Sequence, residues 1–273
     1  LLRGLPDQNG KAALDAMLAR GASWSATAAK LSAPTHRIDP EPRPSPCPPP
    51  AARPDQLSVT QIKTLIRDPF AIYARKVLNL SELDPLVPTA DAPLRGIIVH
   101  KILERFIADG HGPADRDDLM RIANEEFESQ CPWPTVRAQW IARMERVADK
   151  FLADEGERQD LADQRITEAW GEIPVAATGV RLTCKADRID LTDADAALIY
   201  DYKTGVVPTG PQQEKFDKQL LLEAAMVERG AFAKVGKKSV EGAAFIGVNA
   251  AMRNVVAPLS KQPPDQVWAE LET

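Results

Sequence analysis

The sequence predicts an α/β fold with an all-helical insertion. Three observations predict it. Residues 94–153 carry helical periodicity, residues 165–202 carry strand-like alternation, and a further helix and strand follow at about 216–229 and 243–249. Helices first, then a strand meander, then helix and strand is the order of an α/β core with an all-helical insertion.

Composition bounds the rest. An apolar fraction of 44% in 273 residues is enough for a sizeable core. The net charge of -5 and a pI near 5.4 argue against a protein that binds nucleic acid by bulk charge, while leaving room for a local basic cleft. Cys47, Cys131 and Cys184 are odd in number and lack short spacing, so neither a disulfide framework nor a zinc site is indicated. No apolar run approaches the roughly 20 residues of a membrane span. With no signal peptide visible, a cytoplasmic, reducing setting is expected. The chain opens Leu-Leu, which suggests a fragment of a longer protein.

The elements follow in order. Residues 1–32 are Ala-rich and polar and read as the end of a preceding domain. Gly4–Lys11 superficially resembles a phosphate-binding loop, but its spacing is one residue too long and Ala12 stands where Ser or Thr is needed. Nine prolines between Pro34 and Pro54 mark residues 33–56 as an extended linker, leaving 57–273 as the main domain. Ser58 and Gln61 form a capping box before a stripe of Ile62, Leu65 and Ile66. Asp68-Pro69 starts a second helix over 70–78. In the helix over 94–108, Val99, Ile102, Leu103, Phe106 and Ile107 share one face, and His100 and Glu104 are neighbours on its flank. Helices are expected at 116–129 and 136–153, then strands at 165–175, 180–191 and 197–202; the tail after Pro258 carries no clear pattern.

The chemistry concentrates between Arg181 and Gly205. Leu182, Cys184 and Ala186 alternate with polar residues, Ile189 and Leu191 carry the apolar face onward, and Thr192–Asp195 supplies a turn. Asp187 interrupts the first strand, while Asp201 and Lys203, two residues apart, end the second on one face. Taken singly, Asp187 reads as a carboxylate paired with Arg188 or Arg181, and Asp201 with Lys203 as a surface ion pair. Together they form a cluster that is costly to bury unless a divalent cation lies among them. Asp187 and Asp201 would supply hard oxygen ligands for Mg²⁺ or Mn²⁺, with the Tyr202 carbonyl as a third and His100 as an imidazole ligand. Lys203, kept protonated by its neighbours, would orient the attacking water or stabilise the phosphorane-like transition state. Glu104 would act from behind the ligands. Lys215, Lys218, Arg229, Lys234, Lys237 and Lys238 offer phosphate contacts, whereas Arg137, Arg143 and Arg146 read as helix surface balanced by nearby Glu. Cys184 reads as a small core residue, and His36 and His111 as solvent-facing loop residues.

These motifs resemble the PD-(D/E)XK nuclease superfamily, in its RecB-like branch. Gly96 to His100 is similar to the branch's Gly-x-x-x-His helix, Asp187 to Asp190 to its Asp-Arg-Ile-Asp strand, and Asp201 to Gly205 to its Asp-Tyr-Lys-Thr-Gly strand. Gln219 matches the first position of a Gln-x-x-x-Tyr helix, but Glu223 stands where tyrosine is usual. The resemblance covers roughly 57–250 and implies a restriction-endonuclease-like core, a central mixed sheet flanked by helices plus a helical insertion. The lead-in of Ser58, Pro69 and Phe70 and the proline linker look most like the nuclease domains of AddB-type subunits. That implies a Mg²⁺- or Mn²⁺-dependent deoxyribonuclease cutting single-stranded DNA beside an AddA-like partner. The assembly would be a nucleoid-associated bacterial helicase–nuclease that processes double-strand breaks, with ATP used by the complex and not bound here. Some such subunits carry an iron–sulfur cluster on four cysteines; Asp68 stands at the first of those positions and no cysteine follows Cys184, so no cluster is expected. The alternative is an inactive nuclease fold that guides DNA or bridges subunits.

Overall fold

Helix α1 (Gly10–Ser32) is the main element of the first of two units, 1–45 and 46–273, into which the chain divides. The computed structural model describes residues 10–34, 36, 39–43, 45–83 and 85–272. The loop-like stretch Gly4–Lys11 lies outside them save for Gly10 and Lys11, which begin α1.

The second unit opens on a 3-10 turn (Pro50–Ala52), followed by strand β1 (Gln56–Ser58) and helix α2 (Val59–Arg67). The junction of β1 and α2 is the expected capping box: the Gln61 amide donates to Ser58 Oγ at 3.3 Å, and the Ser58 amide donates to Gln61 Oε1 at 2.9 Å. Asp68 caps α3 (Pro69–Ile72) through the Ala71 amide. The helix expected over 70–78 continues beyond α3 as a π-helical turn, Tyr73–Val77.

Helices α4 (Ala92–Ala108), α5 (Arg116–Gln130) and α6 (Pro134–Gln159) form the inserted helical layer. Asp91 caps α4 through the Leu94 amide. The stripe read from the sequence, Val99 to Ile107, is buried against Leu119, Phe127, Trp140, Met144 and Phe151. Strands β2 (Gln164–Pro174), β3 (Arg181–Leu191) and β4 (Ala197–Lys203) follow as a meander. Asp195, at φ 61°, completes the turn into β4.

The helix expected over about 216–229 is α8 (Gln219–Glu228), and a short helix without a sequence expectation, α7 (Gly210–Lys215), capped by Thr209, precedes it. Phe216, at φ −149°, breaks the helical path between them. Strands β5 (Val240–Gly247) and β6 (Val255–Val256) and helix α9 (Pro264–Glu272) complete the chain; β1, β6 and α9 carry no sequence signal of their own.

The sheet is mixed. Its order is β1-β3-β4-β5-β6, with β2 along the other edge of β3; β1–β3 and β4–β5 are parallel and the other pairs antiparallel. Helices cover both faces. On one, α2, α8 and α9 share a core with Leu182, Ile189, Ile199 and Phe245; on the other, α4, α5 and α6 pack with Tyr200, Tyr202 and Ile246. Leu220 to Leu222 and Ala224 to Val227 bury α8 on every side, as expected of a helix that is apolar all round.

Candidate active site

A gap in the sheet creates the site. Along one edge, β3 pairs with β1 at residues 181–183 and with β4 at residues 188–191, which leaves residues 184–187 of that edge between the two partners. At this split the Asp187 carboxylate replaces a strand neighbour: its Oδ2 accepts from the Tyr202 amide at 2.9 Å. Side-chain alternation also slips there. Ala186 and Ile189 both face the α8 core, as do their partners Ala169 and Ile166 on β2, and Glu168 between those partners has φ 50°. The paired kink turns Asp187 toward the end of β4.

Asp201 and Lys203 stand across the gap, with Lys203 Nζ 2.6 Å from Asp201 Oδ2. Gln219, the first residue of α8, ties them together. Its Nε2 donates to Asp201 Oδ1 and, at 3.1 Å, to Glu223 Oε1, while its Oε1 accepts from Lys203 at 3.1 Å. Glu223 Oε1 also accepts from Cys184 Sγ at 3.4 Å. Cys184, read as a core filler, is therefore also a donor behind the site. Burial pushes Asp201 up to about 6 and Glu223 to about 8, each reinforced by nearby carboxylates. Burial opposes the charge on Lys203, but Asp201 outweighs it and raises the ammonium's pKa, which keeps it protonated.

His100 reaches the gap from α4, its Nδ1 3.2 Å from Asp187 Oδ2. Burial opposes its protonation; the hydrogen bond and charge of Asp187 outweigh that and raise its pKa. Glu104, one turn along, is half-buried, and burial with the Glu168 charge raises its pKa, to which the Asp187 charge adds a smaller push. The Lys203 carbonyl accepts from the Val248 amide, so strand alternation turns the Tyr202 N–H and C=O toward Asp187. The Tyr202 ring lies on the opposite face, where its hydroxyl accepts from Arg188 at 3.2 Å.

Arg188 carries no site role in the sequence reading, yet it is the largest fully buried side chain among the described residues. It does not pair with Asp187. Its guanidinium grips Asp190 at 2.6 Å and Glu155 of α6 at 2.7 Å, and Arg158 binds Glu155 at 3.0 Å. Two cations and two anions thus balance in the interior and bolt α6 to the strand that carries Asp187. The signal available was the charge alternation in Asp187-Arg188-Ile189-Asp190, with apolar positions on both sides.

The donors in the gap suit a hard divalent cation. Asp201 Oδ2 is buried and, although Lys203 lies beside it, accepts no hydrogen bond of acceptable geometry. Carboxylate oxygens and a carbonyl are the ligands that Mg²⁺ and Mn²⁺ favour. Among the described residues the group that brings three donor atoms within 4.8 Å of one another is not the one in the gap but His111, Asp115 and Asp118. Its members already serve other contacts: Asp115 accepts from the Gly112 amide, Asp118 from Arg121, and His111 stacks on Phe106. His111 is accordingly not the solvent-facing loop residue expected, while His36 is exposed.

The basic residues are redistributed. Lys218 binds Gln262 and Glu270, Arg229 binds Asp265, and Lys238 binds Asp195, so these are committed to the fold. Arg137 lies 3.9 Å from Glu128, but no carboxylate lies within 4.0 Å of Arg143 or Arg146 among the described residues, contrary to the balance expected. No helix among the described residues is long and apolar enough to cross a membrane.

The profile of the PD-(D/E)XK nuclease superfamily matches residues 56–272. The chain belongs to this superfamily. The mixed sheet flanked by helices is its α/β core, and membership points to nuclease activity. Such nucleases generally use Mg²⁺. Similar proteins include an uncharacterized protein of Rickettsia bellii, 29% identical over 185 residues, covering 66% of this chain and 22% of the relative. Another, from Rickettsia conorii, is 27% identical over 197 residues, covering 68% and 24%. The chain therefore spans about a quarter of the length of the curated relatives it matches.

Proposed function

We propose that this domain hydrolyses DNA phosphodiester bonds with Mg²⁺ or Mn²⁺, cutting single strands in exonuclease fashion. The observation that carries the reading is the convergence of Asp187, Asp201 and Lys203 at the split in the sheet, with Gln219 binding both Asp201 and Lys203. Asp187, Asp201, the Tyr202 carbonyl and His100 would hold the cation. Bound there, it would polarise the scissile phosphate and favour deprotonation of the attacking water. Lys203 offers its ammonium to the charge that grows on the phosphoryl oxygens, and Gln219 fixes the direction in which it points. Asp187 holds the His100 ring in place. Glu104 adds negative charge behind Asp187.

We place the domain in an ATP-dependent helicase–nuclease of AddAB type that processes double-strand breaks for recombinational repair, with an AddA-like partner, in a bacterial cytoplasm. What supports this context is the motif resemblance, the lead-in of Ser58, Pro69 and Phe70, and relatives about four times as long as the matched region. ATP would be bound elsewhere in the complex. The reading carries no iron–sulfur cluster, since Asp68 replaces the first ligand and no cysteine follows Cys184.

The test is cleavage of end-labelled single-stranded DNA with Mg²⁺ or Mn²⁺ by the native chain, Asp201→Ala and Lys203→Ala. Metal-dependent cutting that both variants lose is the expected result. If the assembled helicase complex cuts both strands equally well with and without Asp201, the domain is a scaffold and the reading fails.

A further inference from the structure

A cavity of about 610 Å³ lies on the sheet face covered by α4 and α6, beside the catalytic gap but not within it. Its volume falls in the roughly 300–1,000 Å³ range of small-ligand sites. Trp140, Met144 and Val99 give it an apolar wall, and Arg95, Arg143 and Arg146 stand round it. Arg143 and Arg146 are one turn apart on α6, both exposed, and Arg95 projects from α4. Among the described residues no carboxylate forms an ion pair with any of the three.

The cavity is continuous with the catalytic elements. Thr204, which lines it, follows Lys203 directly, and Arg95 immediately precedes Gly96. Gly96 packs beside Thr204: a Cβ there would sit 3.4 Å from Thr204 Oγ1. Asn249 holds the rim by donating to the Gly205 carbonyl at 2.6 Å.

Unpaired guanidinium groups over an apolar hollow match a chain of phosphates with a base free to turn inward. We propose that this groove binds single-stranded nucleic acid, taking an unstacked base into the hollow floored by the edges of Trp140 and Met144 and flanking phosphates on Arg95, Arg143 and Arg146. The inference deepens the nuclease reading and rests on it: the groove is where the strand lies next to the bond being cut. A duplex keeps its bases stacked, so the groove discriminates against it before any chemistry occurs.

The test measures the affinity of the full chain for a fluorescent 20-nucleotide oligothymidylate, with Ca²⁺ in place of Mg²⁺ so that binding is read without cutting. Arg143→Glu with Arg146→Glu is expected to weaken binding at least tenfold and to reduce the logarithmic salt slope by roughly 1.4, about 0.7 for each phosphate that is no longer neutralised. Ala250→Trp, at an exposed position on the groove, is expected to weaken binding with little change in that slope. Hydrolysis of bis(p-nitrophenyl) phosphate with Mn²⁺, which is too small to need the groove, is expected to be unchanged in both variants. Unchanged oligonucleotide affinity in both variants overturns the proposal, as it would if a partner protein occupied the groove; so does a native chain that does not bind, or that binds the duplex equally well. Failure of the nuclease reading looks different: the native chain hydrolyses neither substrate, yet the affinity differences persist.

Discussion

Glu223 lies in the interior beside a site already rich in negative charge, with one carboxylate oxygen accepting from Gln219 and Cys184 and the other accepting no hydrogen bond. Its folded pKa, about 8, lies well above that of an unfolded glutamate, and that of Asp201, about 6, is displaced in the same direction. The folded state therefore holds protons that the unfolded state has released. Stability of the metal-free chain should fall as pH rises from about 4 to 8, by an amount on the order of a few kcal/mol at about 1.4 kcal/mol per unit displaced. Glu223→Gln should flatten that slope, leaving the melting temperature nearly unchanged at pH 4 and raising it at pH 8; thermal melts at the two pH values check both arms. The pairing of Asp201 with Lys203, on which the proposed site rests, was legible in the sequence because a two-residue spacing at a strand end puts both on one face. Glu223 was visible only as a departure from a motif. Its burial follows from the apolar residues on every side of it in α8, a pattern that a residue-by-residue reading of charge does not weigh.

At the scale of elements, the buried quartet of Arg188, Asp190, Glu155 and Arg158 joins α6 to β3. Arg188→Ala would leave Glu155 and Asp190 without their main partner in a dry interior and should cost about 3–5 kcal/mol in denaturant unfolding. Replacing Glu155 and Asp190 by leucine in that background should recover most of the loss. Ser58→Ala removes one half of the capping box and should cost about 1 kcal/mol, since only one amide loses its acceptor. Gly247→Ala, at the end of β5 beside Lys203, brings a Cβ to 2.6 Å from the Arg253 carbonyl and should destabilise by roughly 1–3 kcal/mol, because backbone must move. The long elements were legible because their periodicity runs for several turns or strand repeats. β1 and β6 were not, since three and two residues carry no period, and their pairing is fixed by distant partners. The break between α7 and α8 lies in an interval of mixed polarity where the chain turns at Phe216, a choice made by packing against α2 and β4.

Across the whole molecule, net charge misled in one respect. The chain is acidic overall, and basic residues chosen by proximity to the catalytic strand were partly spent on ion pairs, while Arg143 and Arg146, which read as balanced helix surface, remain unpaired. Only the folded chain shows which charges are committed. The same holds for metal donors: His111, Asp115 and Asp118 are near in sequence and cluster tightly, whereas His100 reaches Asp187 only through the fold, at the split in the sheet. The most direct test of that assembly is an Mn²⁺ titration followed by the electron paramagnetic resonance signal of the free ion. It compares the native chain, Asp187→Asn with Asp201→Asn, and His111→Ala. The account predicts that the native and His111→Ala chains take up Mn²⁺ alike and that the double carboxamide variant does not. Native-like uptake by the double variant, abolished instead by His111→Ala, would contradict it.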